Sequence, residues 1–263
     1  MEMKINKDNW KMSDINVDSL WIIPERDKSG KHANVYHGNF IPQIPNQLIR
    51  RYTEENDVVL DMFMGSGTTL YECEKLNRKF IGFDINQTII DYVRTQMKDS
   101  NAIYEINNCD ITNSDLVEQC IESNKQTINF DGMIDFFISH PPYLDIIRFT
   151  ELDEDLSHIS EIPVFLEKFT TAIGNVYRKL KENKYFAVVI GDVYRKSEVV
   201  PLSFYVMYAI KKKFNVKLKG TIIKNIEGNK GKLGLQNIWK YRALKSDYYL
   251  FKHEYIFVFK KIK

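Results

Sequence analysis

Residues 58–86, VVLDMFMGSGTTLYECEKLNRKFIGFDIN, constrain the fold of this chain more than any other stretch. An apolar run from Val58 to Met64 reads as a buried strand. Gly65, Ser66 and Gly67 then turn the chain sharply, and Thr68 to about Leu76 continues as a helix. A second apolar run, Lys79 to Ile85, contains the acid Asp84. Strand, glycine turn, helix and strand in this order open a β-α-β unit, the building block of a parallel sheet.

The residue types of the turn carry chemistry. Glycines at 65 and 67 permit backbone angles closed to other residues and let a ligand approach the main chain. Ser66 or Thr68 is placed to cap the helix, whose N-terminal amides point into the same space. An acid at the end of the second strand can accept both hydroxyls of a ribose. Together these features specify a nucleoside-bearing ligand, although Gly-Ser-Gly alone is also an ordinary tight connection. No Lys follows the second glycine, which argues against a phosphate-cradling loop.

The pattern D-x-F-x-G-S-G-T-T, from Asp61 to Thr69, resembles motif I of the S-adenosylmethionine-dependent DNA amino-methyltransferases that modify adenine N6 or cytosine N4. A second stretch, MIDFFISHPPY at 133–143, is similar to motif IV of that family: an apolar strand followed by two prolines and an aromatic residue. The segment from Tyr36 to Thr53 resembles motif X. There Pro42 and Pro45 punctuate an extended stretch, and Pro45 begins a helix with Leu48, Ile49 and Tyr52 at helical spacing.

The resemblance implies an α/β, Rossmann-like class I methyltransferase fold: a seven-stranded, mostly parallel sheet with an antiparallel last strand and helices on both faces. It implies S-adenosylmethionine as cofactor, held by Asp61, Phe63, Gly65, Ser66, Gly67, Thr68, Asp84, Ile85 and Asp110, with His37 and Phe40 of the motif X segment. Asp110 either meets the cofactor's adenine or caps the next helix. The catalytic loop would be Ser139, His140, Pro141, Pro142 and Tyr143.

An exocyclic amine is a poor nucleophile because its lone pair is shared with the ring. A side-chain acceptor and a rigid proline carbonyl would bond its two N–H groups and free that lone pair, while the aromatic ring stacks on the extruded base. The family has Asp, Asn or Ser where this chain has His140. A neutral imidazole accepts one hydrogen bond and an imidazolium none. Activity is therefore expected to fall as pH drops through the imidazole's value, normally about 6.5. His140 could instead have a supporting role or mark an inactive relic, and the departure removes the usual clue to adenine versus cytosine.

The remaining elements read as a helix at about 87–98, strands near 103–107 and 184–191, a helix over 164–180, another from Pro201 to about 212, and strands at 216–224 and 255–259. The run Glu151 to Asp155 reads as a solvated turn. Residues 1–35 form an arm and 36–263 one domain, with a loop at about 225–250 for target recognition. That loop interleaves basic and aromatic residues: Lys230, Lys232, Trp239, Lys240, Arg242 and Lys245. With Arg148 these are candidates for nucleic-acid contact, or the loop is a plain connection.

Composition sets the limits. From Tyr205 to Lys263 there are 15 Lys or Arg against 3 acids, a local +12. The first 204 residues therefore carry about −10 of the chain's net +2, and the basic end suits a polyanion. Cys73, Cys109 and Cys120 show no metal-ligand spacing and suit a reducing compartment. With no apolar segment of spanning length or leader-like start, a cytoplasmic protein without membrane or metal is expected. Double-stranded DNA is the expected partner. In the absence of a large recognition domain, a short site, a homodimer, or a specificity or restriction partner is expected. An RNA base methyltransferase and a catalytically silent nucleic-acid-binding subunit are the alternatives.

Overall fold

The computed structural model describes residues 10–33, 35–36, 38–226 and 236–263. Strands β1 (Leu20–Trp21), β2 (Val58–Asp61), β3 (Lys79–Asp84), β4 (Tyr104–Asn108) and β5 (Ile134–Ser139) come in the first half. Helices α1 (Gln43–Tyr52), α2 (Thr68–Lys75), α3 (Gln87–Gln96) and α4 (Ser114–Ile128) lie between them. The second half holds α5 (Ile162–Tyr177), β6 (Leu180–Ile190), the hairpin β7 (Val193–Arg195) and β8 (Glu198–Val200), then α6 (Leu202–Lys213), β9 (Val216–Asn225), α7 (Gln236–Lys245) and β10 (His253–Lys261).

Eight strands form one sheet in the order β1-β9-β10-β6-β5-β2-β3-β4. All neighbours run parallel except β10, which is antiparallel to both β6 and β9. The expected antiparallel last strand is present. The eighth strand, β1, comes from the segment read as an irregular arm: it pairs with β9, and Trp21 is buried.

Burial on both faces explains why the central strands β2 and β5 are mostly apolar. In β5, Phe137 joins the layer with α4, α5 and α6, whereas Phe136 and Ile138 join the layer with α1, α2 and α3; an irregularity in register between Ile134 and Phe136 puts Ile134 on the Phe137 side. The polar residues these strands do bury are Asp61, Asp135 and Ser139; Asp135 is paired with Lys181 and accepts from the Val58 amide.

Several local expectations are corrected. Helix α1 starts at Gln43, two residues before Pro45, with Pro42 at its N-cap. Neither Ser66 nor Thr68 caps α2: its N-cap is Gly67, in the left-handed region, with no side-chain bond. Asp110 is not the cap of α4, whose first amides are bonded by Asn113. Within the 225–250 loop the structure places helix α7. Among the described residues no helix is long and apolar enough to cross a membrane, and no cluster of His, Cys, Asp and Glu is arranged to hold a metal.

Candidate active site

The carboxyl ends of β2, β3, β4 and β5 open onto one cavity of about 1130 Å³. Ligand pockets typically measure about 300–1,000 Å³, so this volume can hold two groups side by side.

The glycine turn is held by its neighbours. Met64 donates to the Phe83 carbonyl at 2.9 Å, and Asp84 Oδ2 accepts from the Gly65 amide at 2.8 Å. Asp84 Oδ1 accepts from the Asn86 amide at 2.9 Å, so this one carboxylate joins the turn to the end of β3. Burial pushes Asp84 up to about 6, against the lowering effect of those amides and with help from the negative charge of Asp155. Gly65 has φ +52°, and a Cβ there would lie 3.3 Å from Tyr36. Gly67 has φ +85°, and a Cβ there would meet Val93 at 3.0 Å; packing beneath the turn, rather than ligand approach, requires that glycine.

Asp61 is only 1% exposed and does not line the cavity. It accepts from the Phe63 amide at 3.1 Å and from Thr69 Oγ1 at 2.5 Å, bracing the turn from behind. Ser66, also buried, accepts from Asn39 Nδ2. The cavity is lined by Phe63, Gly65, Thr68, Asp84, Ile85, Asp110 and Phe40, whereas Asp61, Ser66 and Gly67 support it from outside. His37 lies outside the described residues.

The segment before α1 touches both loops. Asn39 bonds the glycine turn, and the Phe40 ring sits 5.1 Å from the His140 ring. Tyr36 stacks on Phe149 at 5.7 Å, closing one side of the mouth.

In the double-proline loop, His140, Pro141, Pro142 and Tyr143 line the cavity. Ser139 does not: it is fully buried within β5 and its hydroxyl has no partner, so the expected catalytic position is corrected to a structural one. Burial lowers the His140 imidazole below its ordinary value, keeping it neutral at pH 7. Its Nε2 lies 3.0 Å from the Tyr143 hydroxyl. One imidazole nitrogen is thus already engaged inside the loop. Leu144, next in the chain, is fully buried with φ +55°, a strained turn that sets the loop's exit.

Other expected contacts lie elsewhere. Arg148 is exposed and paired with Glu151 at 3.3 Å. Asp155 is buried rather than solvated; it accepts from Thr150 and lines the cavity. Trp239, Lys240, Arg242 and Lys245 sit on α7, away from the cavity wall, with Arg242 over the Trp239 ring at 5.3 Å. Lys230 and Lys232 lie outside the described residues.

Sequence reasoning did not single out Arg26, His32, Asn39, Lys224 or Glu254, all of which line the cavity. In sequence, Glu254 directly precedes the apolar run from Tyr255 to Phe259.

A family model described as DNA methylase matches residues 1–95. The matched stretch is about a third of the chain. This stretch ends before the double-proline loop. Type II methyltransferase M.MjaII of Methanocaldococcus jannaschii is 36% identical over 84 residues, 31% of this chain and 16% of that protein. M.HpaI of Haemophilus parainfluenzae is 41% identical over 86 residues, 33% of this chain and 27% of that protein. M.BglI of Bacillus subtilis is 26% identical over 136 residues, 48% of this chain and 37% of that protein. The match thus spans well under half of each of these methylases. Among solved structures, TrmN from Thermus thermophilus aligns with TM-score 0.55 at 13% identity, covering 86% of this chain and 50% of that one. The methyltransferase SMU.1697c from Streptococcus mutans, solved with SAH, aligns with TM-score 0.50 at 12% identity, covering 84% of this chain and 97% of that one. These likenesses establish the Rossmann-like methyltransferase fold.

Proposed function

We propose that this chain is a DNA methyltransferase that moves a methyl group from S-adenosylmethionine to the exocyclic amine of a flipped adenine or cytosine. The observation that carries the reading is that the glycine turn and the double-proline loop face each other across one cavity, with Phe40 touching the second loop and its neighbour Asn39 the first. A cavity of this size also argues against the silent-subunit alternative.

The residues fit the cofactor. Asp84 presents a carboxylate at a strand end for ribose hydroxyls, and Gly65 leaves the main chain bare beside it. At the arm end, Arg26 Nε and His32 Nδ1 are buried without partners on residues that line the same cavity; the guanidinium N–H can donate to the ligand's carboxylate, and with His32 Nε2 turned to Glu72 at 2.6 Å the free Nδ1 can accept from its ammonium group. S-adenosylmethionine, when bound, supplies an electrophilic methyl group. The chain's own contribution is positional: the prolines fix the loop, Tyr143 offers a ring for the base to stack on, and the apolar walls exclude water.

The basic helix α7 is the segment we assign to DNA contact. Tyr194 of β7 donates to the Ser246 carbonyl at 3.3 Å and stacks on Tyr248 at 4.3 Å, which ties the end of α7 to the hairpin that follows β6. A short target sequence, a second copy or a partner subunit would add to the specificity that α7 supplies.

The test is incubation with labelled S-adenosylmethionine and unmethylated genomic DNA, followed by nucleoside analysis. The expected result is label in N6-methyladenine or N4-methylcytosine. Absence of label in any base would overturn the reading.

A further inference from the structure

Two charged side chains, Lys224 and Glu254, stand in the cavity wall. Lys224 lies near the end of β9 and Glu254 near the start of β10, and the antiparallel register sets them directly opposite each other. Both are buried, at 5% and 7% exposure, and both line the cavity. Lys224 Nζ donates to Glu254 Oε1 at 3.1 Å.

The pair sits beside the double-proline loop. After burial itself, the Glu254 carboxylate is the strongest influence on both the His140 imidazole and the Tyr143 hydroxyl. Lys224 ranks behind it at His140.

Buried charges are costly unless their remaining hydrogen-bonding capacity is met. The Lys224–Glu254 bond engages one of two carboxylate oxygens and one of three ammonium hydrogens. What remains is an acceptor and donors side by side. His140 has one nitrogen, Nε2, already turned to the Tyr143 hydroxyl, which leaves Nδ1 as its remaining position.

We propose that Lys224 and Glu254 read the edge of the target base, Glu254 accepting from its exocyclic amine and Lys224 donating to the adjacent ring nitrogen. This rests on the base-methylation reading above. Adenine and cytosine both present an amine beside an unprotonated ring nitrogen, which matches the pair in this order. Thymine and guanine would turn a carbonyl oxygen toward the carboxylate and be repelled. The pair thus selects amino bases and supplies the side-chain acceptor at which the double-proline loop departs from its family.

The competing account is a purely structural bridge between β9 and β10. Three variants separate the two: Glu254→Gln, Lys224→Met, and both together, the last burying no charge. Each is assayed for S-adenosylmethionine affinity by calorimetry and for methyl transfer to unmethylated genomic DNA. We expect kcat/KM for DNA to fall about 10- to 100-fold in all three, the range for losing a charged hydrogen bond, while cofactor affinity stays within about twofold. Recovery of wild-type transfer in the double variant would overturn the proposal, because a structural bridge is repaired by removing both charges. If the single variants do not fold, the double variant still decides. A wild-type protein that labels no base would overturn the parent reading and this proposal with it, a result distinct from variants that match an active wild type.

Discussion

A Cβ on Gly191 would lie 3.0 Å from Cε2 of Tyr143, so the end of β6 is the seat against which the aromatic ring of the double-proline loop is held. Ring and backbone come from segments that adjoin only because β5 and β6 are neighbours in the sheet.

That contact predicts the effect of Gly191→Ala. The added methyl must push the ring aside, and a displacement of about 1 Å in a reacting geometry can cost about 100-fold in rate. We expect a loss of transfer of at least about tenfold with cofactor affinity unchanged, measured by steady-state kinetics and calorimetry. Equal weakening of cofactor binding would place the ring's role elsewhere.

Asp84 makes cofactor binding pH-dependent. Ribose hydroxyls donate best to the ionised carboxylate, so affinity should fall as pH drops below about 6, the value to which burial raises this group. The fall is at most tenfold per pH unit for one proton. The fold responds with the opposite sign: the free protein holds this proton more tightly than the unfolded chain, so its stability rises as pH falls through the same window. Calorimetric titration between pH 5 and 8 checks the first, and Asp84→Asn should bind weakly with a flat profile.

Behind the turn, Asp61 is pushed up to about 7 by burial. Between its ordinary range near 4 and about 7, the native state holds a proton that the unfolded state releases, so this group's contribution to stability is lost as pH rises through that window. In Asp61→Asn the side-chain carbonyl can still accept from Phe63 and the amide can donate to Thr69. That variant should fold and lose this component of the pH dependence. Asp61→Ala strands both partners and should cost about 2–3 kcal/mol. Chemical denaturation at pH 5 and 8 measures both.

On helix α7, Arg242 and Lys245 are exposed, each over an aromatic ring of the same helix. If they meet phosphates, replacing both with Ala should reduce the salt dependence of DNA binding by a slope of about 2, one per contact. Affinities measured between low and moderate salt give the slope, and an unchanged slope removes α7 from the DNA interface.

Protonation of His140 is expected to matter only at lower pH than a free imidazole would suggest, because burial disfavours its cation. A rate profile that falls at 6.5 with saturating cofactor would point to another group.

Much of the site was legible along the chain because its chemistry is local. A glycine turn between two apolar runs, an acid at a strand end and two prolines after a buried strand each declare their geometry within about ten residues. Their meeting at one cavity then follows from parallel strands that all end on the same edge. By contrast, the family resemblance implies Ser139 and Asp61 in the site, yet both are buried and neither lines the cavity.

What only the tertiary structure decided were the contacts between distant segments. Leu20 and Trp21 become an edge strand because β9 offers an open side some 200 residues later, with Leu20 opposite Ile223. Lys224 and Glu254 form a pair only through the register of β9 against β10, with a helix between them in sequence. Periodicity reports which face a residue takes on its own strand. It carries no information about which residue of another strand stands opposite, and that cross-strand choice places a buried acid and a buried base beside the double-proline loop.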